Sequence, residues 1–283
     1  MNKHTYLSLF FLIIFSVSIS SQDNAIEEVI VTATKTEKTL QEVPVAVSVV
    51  TSDVIEKATI LDTFDLKSVI PSLDSRQYQS STNATFFIRG FGNGSNNPGV
   101  EPSVALFVDG VYRSKTQSQI SDLPMLERIE VLRGPQSTLF GKNASAGVIN
   151  IVTKKPSFEE STMISAGIGK YNSRVGKIYT TGPLSDTTAY SFNANFNKRD
   201  GHSDNPVTGN SVNNRDRFGI RAELLFVPAD DLSIRVTADY DEYDEICCAV
   251  GSTSYGTANV VTALFGGPVS YTHPEPTRRV FIS

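Results

Sequence analysis

Leu132 to Lys155 read LRGPQSTLFGKNASAGVINIVTKK, a 24-residue run in which Gly134, Pro135, Gly141 and Asn143 mark turns before an apolar, strand-like Val148–Val152. Lys154-Lys155-Pro156 then closes the unit. Working upstream, Arg128–Leu132, Val104–Val108 and Ala84–Ile88 are further strand-like runs, separated by turn-forming Gly, Asn and Pro. Earlier still, VPVAVSVV from Val43 reads as a strand. Thr51-Ser52-Asp53 with Glu56 reads as a helix start. Asp62 caps a second predicted helix over DTFDLKSVIPSL, stopped by Pro71. These elements predict a small mixed α+β domain over residues 41–156.

Past Pro156 the text changes to long alternating strands. Tyr190, Phe192, Ala194 and Phe196 alternate with Ser191, Asn193, Asn195 and Asn197. Phe218, Ile220, Ala222, Leu224 and Phe226 oppose Gly219, Arg221 and Glu223, and Leu232, Ile234, Val236, Ala238 and Tyr240 oppose Ser233, Arg235, Thr237 and Asp239. A period of two puts each apolar set on one face. Segments of about ten residues, apolar outside and polar inside, suit strands of a membrane barrel. Five are expected, near 160–169, 174–182, 187–198, 215–227 and 231–243, and the terminal VFIS reads as the start of another. Tight turns at Gly182–Asp186 and Pro228–Asp231 face longer polar links at Arg199–Asn214 and after Asp241, as at the two ends of such barrels. A soluble β-sandwich, a secreted adhesin or binding module, is the rival reading of the alternation.

At the N-terminus Lys3 precedes an uncharged run from Tyr6 to Ile19, too short for the roughly 20 residues of a spanning helix. A signal peptide over 1–20 is expected, and with it export from the cytoplasm. Residues 21–40 are polar apart from Val29-Ile30-Val31, which predicts a flexible arm. The net charge of −5 and the lack of a basic block argue against nucleic acid, and a charged fraction of only 19% suits a surface that partly faces lipid. Cys247 and Cys248 are adjacent and read as two thiols with any partner elsewhere. No CxxC, His-containing ligand set, HExxH, Ser/His/Asp arrangement or apolar carboxylate pair is present, so neither metal, cofactor nor enzymatic chemistry is expected.

EEVIVTATK (27–35), FFIRGFGNG (86–94), MLERIEV (125–131) and the run from Leu132, in that order, resemble the arm and plug of TonB-dependent outer-membrane transporters. The resemblance covers roughly 27–243 and is strongest over 85–155. It implies a plug domain followed by an antiparallel transmembrane β-barrel, 22-stranded in the family. Five strands cannot close around a domain this large without leaving backbone unpaired in lipid. The chain is therefore expected to be the N-terminal part of a longer protein, with residues 157–283 an incomplete barrel.

By the resemblance, Glu28, Val29, Ile30, Val31, Thr32 and Ala33 form the box that binds the periplasmic domain of TonB. An extended, β-prone segment suits strand addition to another protein's sheet edge. Arg89 and Arg133 match plug arginines that pair with barrel carboxylates, here expected beyond residue 283. Phe91, Asn93, Ser95 and Asn96 in the glycine-rich loop, with Tyr112 and Arg113 after the Val108-Asp109-Gly110 turn, would touch the solute. The expected function is TonB-driven import of a scarce solute, a ferric siderophore first, with cobalamin, heme or oligosaccharide behind it. The partners would be TonB, outer-membrane lipid and that ligand. A receptor that also signals is disfavoured, because few residues separate the expected cleavage site from Val29.

Overall fold

The computed structural model describes residues 30–32, 35–36, 38–77, 81, 83–93, 99–115, 122–204 and 209–247, and the backbone of 277–282. In chain order the strands are β1 (Ile30–Val31), β2 (Lys38–Thr39), β3 (Val47–Thr51), β4 (Leu73–Gln77), β5 (Ala84–Ile88), β6 (Val104–Val108), β7 (Val111–Tyr112), β8 (Leu126–Arg133) and β9 (Gly147–Thr153). A second series follows: β10 (Ser161–Gly169), β11 (Ser173–Ser185), β12 (Thr188–Arg199), β13 (Ser203–Asp204), β14 (Ser211–Val212), β15 (Arg215–Ala229), β16 (Leu232–Tyr243) and β17 (Thr277–Ile282). Two short helices, α1 (Ser52–Lys57) and α2 (Ser137–Phe140), lie in the first part.

The globular unit is built on a five-stranded sheet in the order β3-β8-β9-β6-β7. Central β9 is parallel to β6 and antiparallel to β8. It is apolar on nearly every position because both faces are covered. Ile149 and Ile151 point into a core shared with Ile55 of α1, Leu66, Ile70, Phe86 and Ile88. Val148 points the other way, into a second cluster with Val31, Ala105, Phe107, Leu132 and Phe140. Two D-G- and R-G-type hairpin turns shape the unit. Arg89–Gly90 and Asp109–Gly110 all have positive φ, and Ile88 and Phe91 exchange backbone hydrogen bonds across the first.

Gly147 starts β9 where two elements meet. A Cβ there would lie 2.5 Å from the Leu132 carbonyl oxygen and 2.5 Å from Ile88 Cδ1. The backbone cannot yield cheaply, so Gly147→Ala is expected to cost about 3 kcal/mol or more of domain stability. Urea unfolding of the complete protein, followed by proteolysis of the globular unit, measures it. A loss below about 1 kcal/mol would show that β8 and β9 can part.

The second series forms a six-stranded antiparallel sheet, β10-β11-β12-β15-β16-β17. Its five predicted strands appear within a few residues of their expected limits, and the C-terminal VFIS lies in or beside β17. Its faces are inverted relative to a soluble sheet. Ile164 and Ile168 are 73% and 94% exposed, and Phe192, Phe196, Phe218, Leu224, Ile234 and Val236 share that outer face. Asn193, Asn195, Asn197, Arg217, Arg221 and Glu223 are buried on the inner face, against the globular unit. A β-sandwich would bury the phenylalanines instead, and no second sheet among the described residues covers them. The sandwich reading is excluded. No helix among the described residues is long and apolar enough to cross a membrane.

Three expectations are corrected. The second helix predicted over 62–73 shrinks to a single 3-10 turn, Asp65–Ser68, with Leu73 already in β4. Phe64, not Asp62, is the N-cap of that turn; Asp62 Oδ1 accepts from the backbone N of Phe64 at 2.9 Å just ahead of it, and its other oxygen is committed to Arg215 and Arg217. The expected loose arm is docked at Ile30–Thr32. Cys247 is disulfide-bonded rather than a thiol; Cys248 lies outside the described residues.

Candidate functional site

Three interfaces meet on the globular unit, and each is set by which face of a strand a residue occupies. The first receives the arm. Glu130 of β8 pairs in register with Asn150 of β9, and Asn150 with Phe107 of β6. All three point to the face opposite the main core. Glu130 is fully buried and takes a hydrogen bond from Arg128 Nε at 2.8 Å. The backbone N–H of Thr32 also donates to Glu130 Oε1 at 2.9 Å, and Asn150 Nδ2 donates to Thr32 Oγ1 at 3.1 Å. Val31 is fully buried in the second cluster, and Ile30–Val31 pairs with Lys38–Thr39. Of the six expected TonB-facing residues, Ile30, Val31 and Thr32 are seen here; Glu28, Val29 and Ala33 lie outside the described residues.

The second interface joins the unit to the wall sheet. Arg217 of β15 is almost wholly buried, and its Nη1 donates to Asp62 Oδ2 and Asp122 Oδ1, both at 2.9 Å. Its Nε and Nη2 hold both oxygens of Glu245. Arg215 adds a second cation to Asp62 at 2.9 Å. Two wall guanidinium groups thus face two plug carboxylates across the boundary, with Glu245 on the wall side as a third acid on Arg217. Burial pushes the Asp122 carboxyl above its ordinary value, opposed by the adjacent Arg217 charge. Burial likewise raises Glu245, again against the pull of Arg217. Asp65, behind Asp62, is raised by burial and by the Asp62 charge.

Deeper along the same wall, Arg221 and Arg235 flank Glu223 and reach Asp109 and Thr153 of the globular unit. Arg221 Nη1 meets Asp239 at 2.8 Å and its Nη2 meets Asp109; Arg235 Nη2 donates to Thr153 Oγ1 at 2.7 Å. Asp109 Oδ1 takes the backbone N–H of Thr153 at 2.9 Å, locking its turn to the end of β9. A wall lysine contributes too, Lys177 Nζ donating to the Leu123 carbonyl at 2.9 Å. A cavity of about 670 Å3 lies beside this contact, lined by Ile55, Glu56, Asp122, Lys177, Asn195 and Asn197 among others.

The third interface is the glycine-rich loop. Phe91 is 73% exposed at its start. Asn93 is tied back, donating to the Glu101 carbonyl and accepting from Ser103 Oγ. Ser95 and Asn96 lie outside the described residues. Tyr112 packs its ring on Phe107 at 5.3 Å, and its hydroxyl accepts from Asn143 at 2.6 Å. Arg113 faces Asp239 of the wall at 3.8 Å. Among the described residues, Phe91, Asn93, Tyr112 and Arg113 keep separate contacts and do not line one pocket.

Of the two expected anchors, Arg89 is exposed in its turn and makes no ion pair among the described residues. Arg133 is half-buried, with Nη2 on Ser48 Oγ and a buried Nε that has no hydrogen-bond partner among the described residues. Among the described residues the plug–wall ion pairs run mostly from wall arginines to plug carboxylates, Arg215, Arg217, Arg221 and Arg235 to Asp62, Asp122 and Asp109, with plug Arg113 on wall Asp239 as the reverse case. The inward side of the alternation already held Arg221, Glu223 and Arg235. Which acids of the other unit they meet depends on approach in space, and no sequence spacing encodes it.

Residues 39–148 match the family described as TonB-dependent Receptor Plug Domain. The pesticin receptor of Yersinia pestis is 32% identical over 181 residues, which is 64% of this chain and 26% of that protein. The vitamin B12 transporter BtuB of Vibrio vulnificus is 26% identical over 245 residues, 81% of this chain and 37% of its own length. Among solved structures, the ferric yersiniabactin uptake receptor FyuA from Yersinia pestis superposes with a TM-score of 0.67 at 27% identity, covering 71% of this chain and 32% of that one. The pyoverdine outer membrane receptor FpvA of Pseudomonas aeruginosa shares the fold, with a TM-score of 0.64 at 21% identity over 76% of this chain and 30% of that one. The chain thus spans from about a quarter to just over a third of the length of these curated relatives. Motif order, plug match and inside-out wall agree: residues 39–148 are a TonB-dependent receptor plug domain, and with its six strands of barrel wall the chain has the fold of the TonB-dependent outer-membrane receptors.

Proposed function

We propose that the complete protein imports a ferric siderophore across the outer membrane, driven by TonB through Glu28–Ala33. The observation that carries this reading is the contrast between the plug's two attachments. Buried guanidinium–carboxylate clusters grip the plug to the wall, whereas the arm is held by a short hairpin and a few contacts on one sheet face. A pull on the arm therefore acts on the weaker attachment first. Strand addition of Val29–Ala33 to a partner's sheet edge would supply that pull, since the outer membrane has no nucleotide supply of its own.

The siderophore assignment rests on relatives whose names describe uptake or binding of such compounds, FyuA and FpvA. Solute would meet exposed Phe91 and the loop around Asn93, Ser95 and Asn96, while Tyr112 and Arg113 would act from behind it. The buried Nε of Arg133, which has no hydrogen-bond partner among the described residues, supports its expected role, because a guanidinium half-satisfied in this way suits a carboxylate on another part of the barrel. Arg89 would anchor likewise from its exposed turn. Catalysis is not part of the proposal.

A strain lacking the gene, complemented with the complete gene, is expected to grow on one or a few purified ferric siderophores as sole iron source. Growth restored only by cobalamin, heme or an oligosaccharide would overturn the siderophore assignment and keep the importer.

A further inference from the structure

We infer that the seam between plug and wall holds an interior site for a small organic carboxylate with an apolar body, bound by Lys177, Asn195 and Asn197 of the wall. The site is the cavity of about 670 Å3 beside α1, a size that encloses small molecules. None of Phe91, Asn93, Tyr112 and Arg113 lines it, and the site does not depend on which solute the complete protein carries.

Strand register builds the donor side. Ser165, Lys177 and Asn195 form a single inward row across β10, β11 and β12, and Asn197 stands diagonally from Lys177 in the next row. Side chains so placed lie about 5–8 Å apart, close enough to share one ligand group. Lys177 Nζ donates to the Leu123 carbonyl at 2.9 Å and the Pro124 carbonyl at 3.5 Å, and it makes no ion pair among the described residues. An ammonium has three N–H donors, so one is left over. Asn195 Oδ1 accepts from Asn193 Nδ2 at 3.0 Å, which leaves its own amide N–H groups free to donate into the cavity. Asn197 is 4% exposed, and its Nδ2 has no hydrogen-bond partner among the described residues. A buried donor left unmet is costly, and so is a partly buried ammonium without a counter-ion.

These donors select the ligand. They call for an anionic oxygen group, and the two acids bordering the cavity do not supply one. Asp122 is taken up by Arg217 at 2.9 Å, and Glu56 is exposed to solvent. A carboxylate fits, since its two oxygens offer about four lone pairs to donors on adjacent strands. From the plug, Ile55, Ile60 and Leu123 line the cavity, so the rest of the ligand is apolar. The wall gives the donors and the plug the apolar floor. An occupant therefore binds the assembled seam rather than its separate parts, and stabilises the assembly by mass action.

The test uses the complete protein in detergent micelles, with para-fluorobenzoate as the probe and fluorine NMR as the readout. Empty micelles give the background. Saturable binding below about 10 mM is expected, with para-fluorobenzamide, the same shape without the charge, at least about tenfold weaker. Lys177→Met should weaken the carboxylate at least about tenfold and abolish its advantage over the amide, because the charged hydrogen bond is lost. Ser165→Phe, which fills the cavity and keeps Lys177, should weaken the carboxylate as well; it decides the matter should Lys177→Met fail to fold. Saturation should also slow hydrogen exchange of the amides at 122–126. No saturable binding, equal affinity for carboxylate and amide, or an affinity unchanged in either variant overturns the site. Binding that leaves exchange at 122–126 unchanged places the probe elsewhere and overturns it too.

Discussion

Arg217→Met is expected to loosen the plug more than any other single change at the wall. The side chain sits between Asp62 and Asp122 of the plug and Glu245 of the wall, all buried, and its charge offsets theirs. Breaking a buried pair by removing one partner typically costs about 3–5 kcal/mol, because uncompensated charge stays behind. Here Arg215 still reaches Asp62, so the loss falls mainly on Asp122 and Glu245. Hydrogen exchange of the amides at 61–65 and 122–126, in the complete protein in micelles, should accelerate about a hundredfold or more, the kinetic equivalent of about 3 kcal/mol. Arg217→Lys should recover little, since an ammonium cannot hold two oxygens of Glu245 and two plug carboxylates at once.

The pH dependence of this variant has a definite sign. Burial already holds Asp122 and Glu245 above their ordinary values, and the Arg217 charge works against that rise. Without the arginine both should rise further. A carboxyl whose folded value exceeds its unfolded value binds its proton more tightly when folded. Its stabilising contribution is present at low pH and is lost as pH rises through the folded value. The defect of Arg217→Met should therefore shrink as pH falls from neutrality toward the ordinary carboxylate range. A defect that deepens on acidification would show that the clusters do not hold the plug by charge.

Ile30→Pro is expected to abolish energised uptake while sparing solute binding. Proline fixes φ and removes a backbone donor in the middle of the segment proposed to add to TonB. Uptake by the complete protein should fall at least about tenfold, with solute affinity within about twofold of the parent, as expected for loss of strand pairing alone. The substitution also disrupts the Ile30–Thr39 pair, so the arm should undock more readily. Uptake that persists unchanged would count against any mechanism in which this segment is pulled. Loss of binding together with uptake would instead place Ile30 in the integrity of the plug.

Much of the architecture is legible in local pattern. Alternation at 188–197, 218–226 and 232–240 specifies both strand state and the face each residue takes, because a pleated strand has a period of two. The Asp109–Gly110 turn is likewise announced by a dipeptide that tolerates positive φ. Local pattern misleads where a distant partner sets the backbone. Asp62–Leu73 has a helix's start signal and a proline stop, yet Asp62 is held by Arg215 and Arg217 and the segment keeps only a 3-10 turn. The arm misleads for the same reason. Its polar composition argues for freedom, and nothing nearby in sequence announces a buried glutamate about a hundred residues away.

Read alone, the chain determined that a plug-like α+β unit precedes strands with a lipid-facing side, because side-chain periodicity and turn chemistry are short-range properties. Only the folded molecule decided which charges meet, that wall Arg215 and Arg217 fall on plug Asp62 and Asp122, and that Thr32 rests on Glu130. Those contacts join residues as far apart as Asp62 and Arg217, and such pairings exist only once two sheets have packed and water has left the space between them.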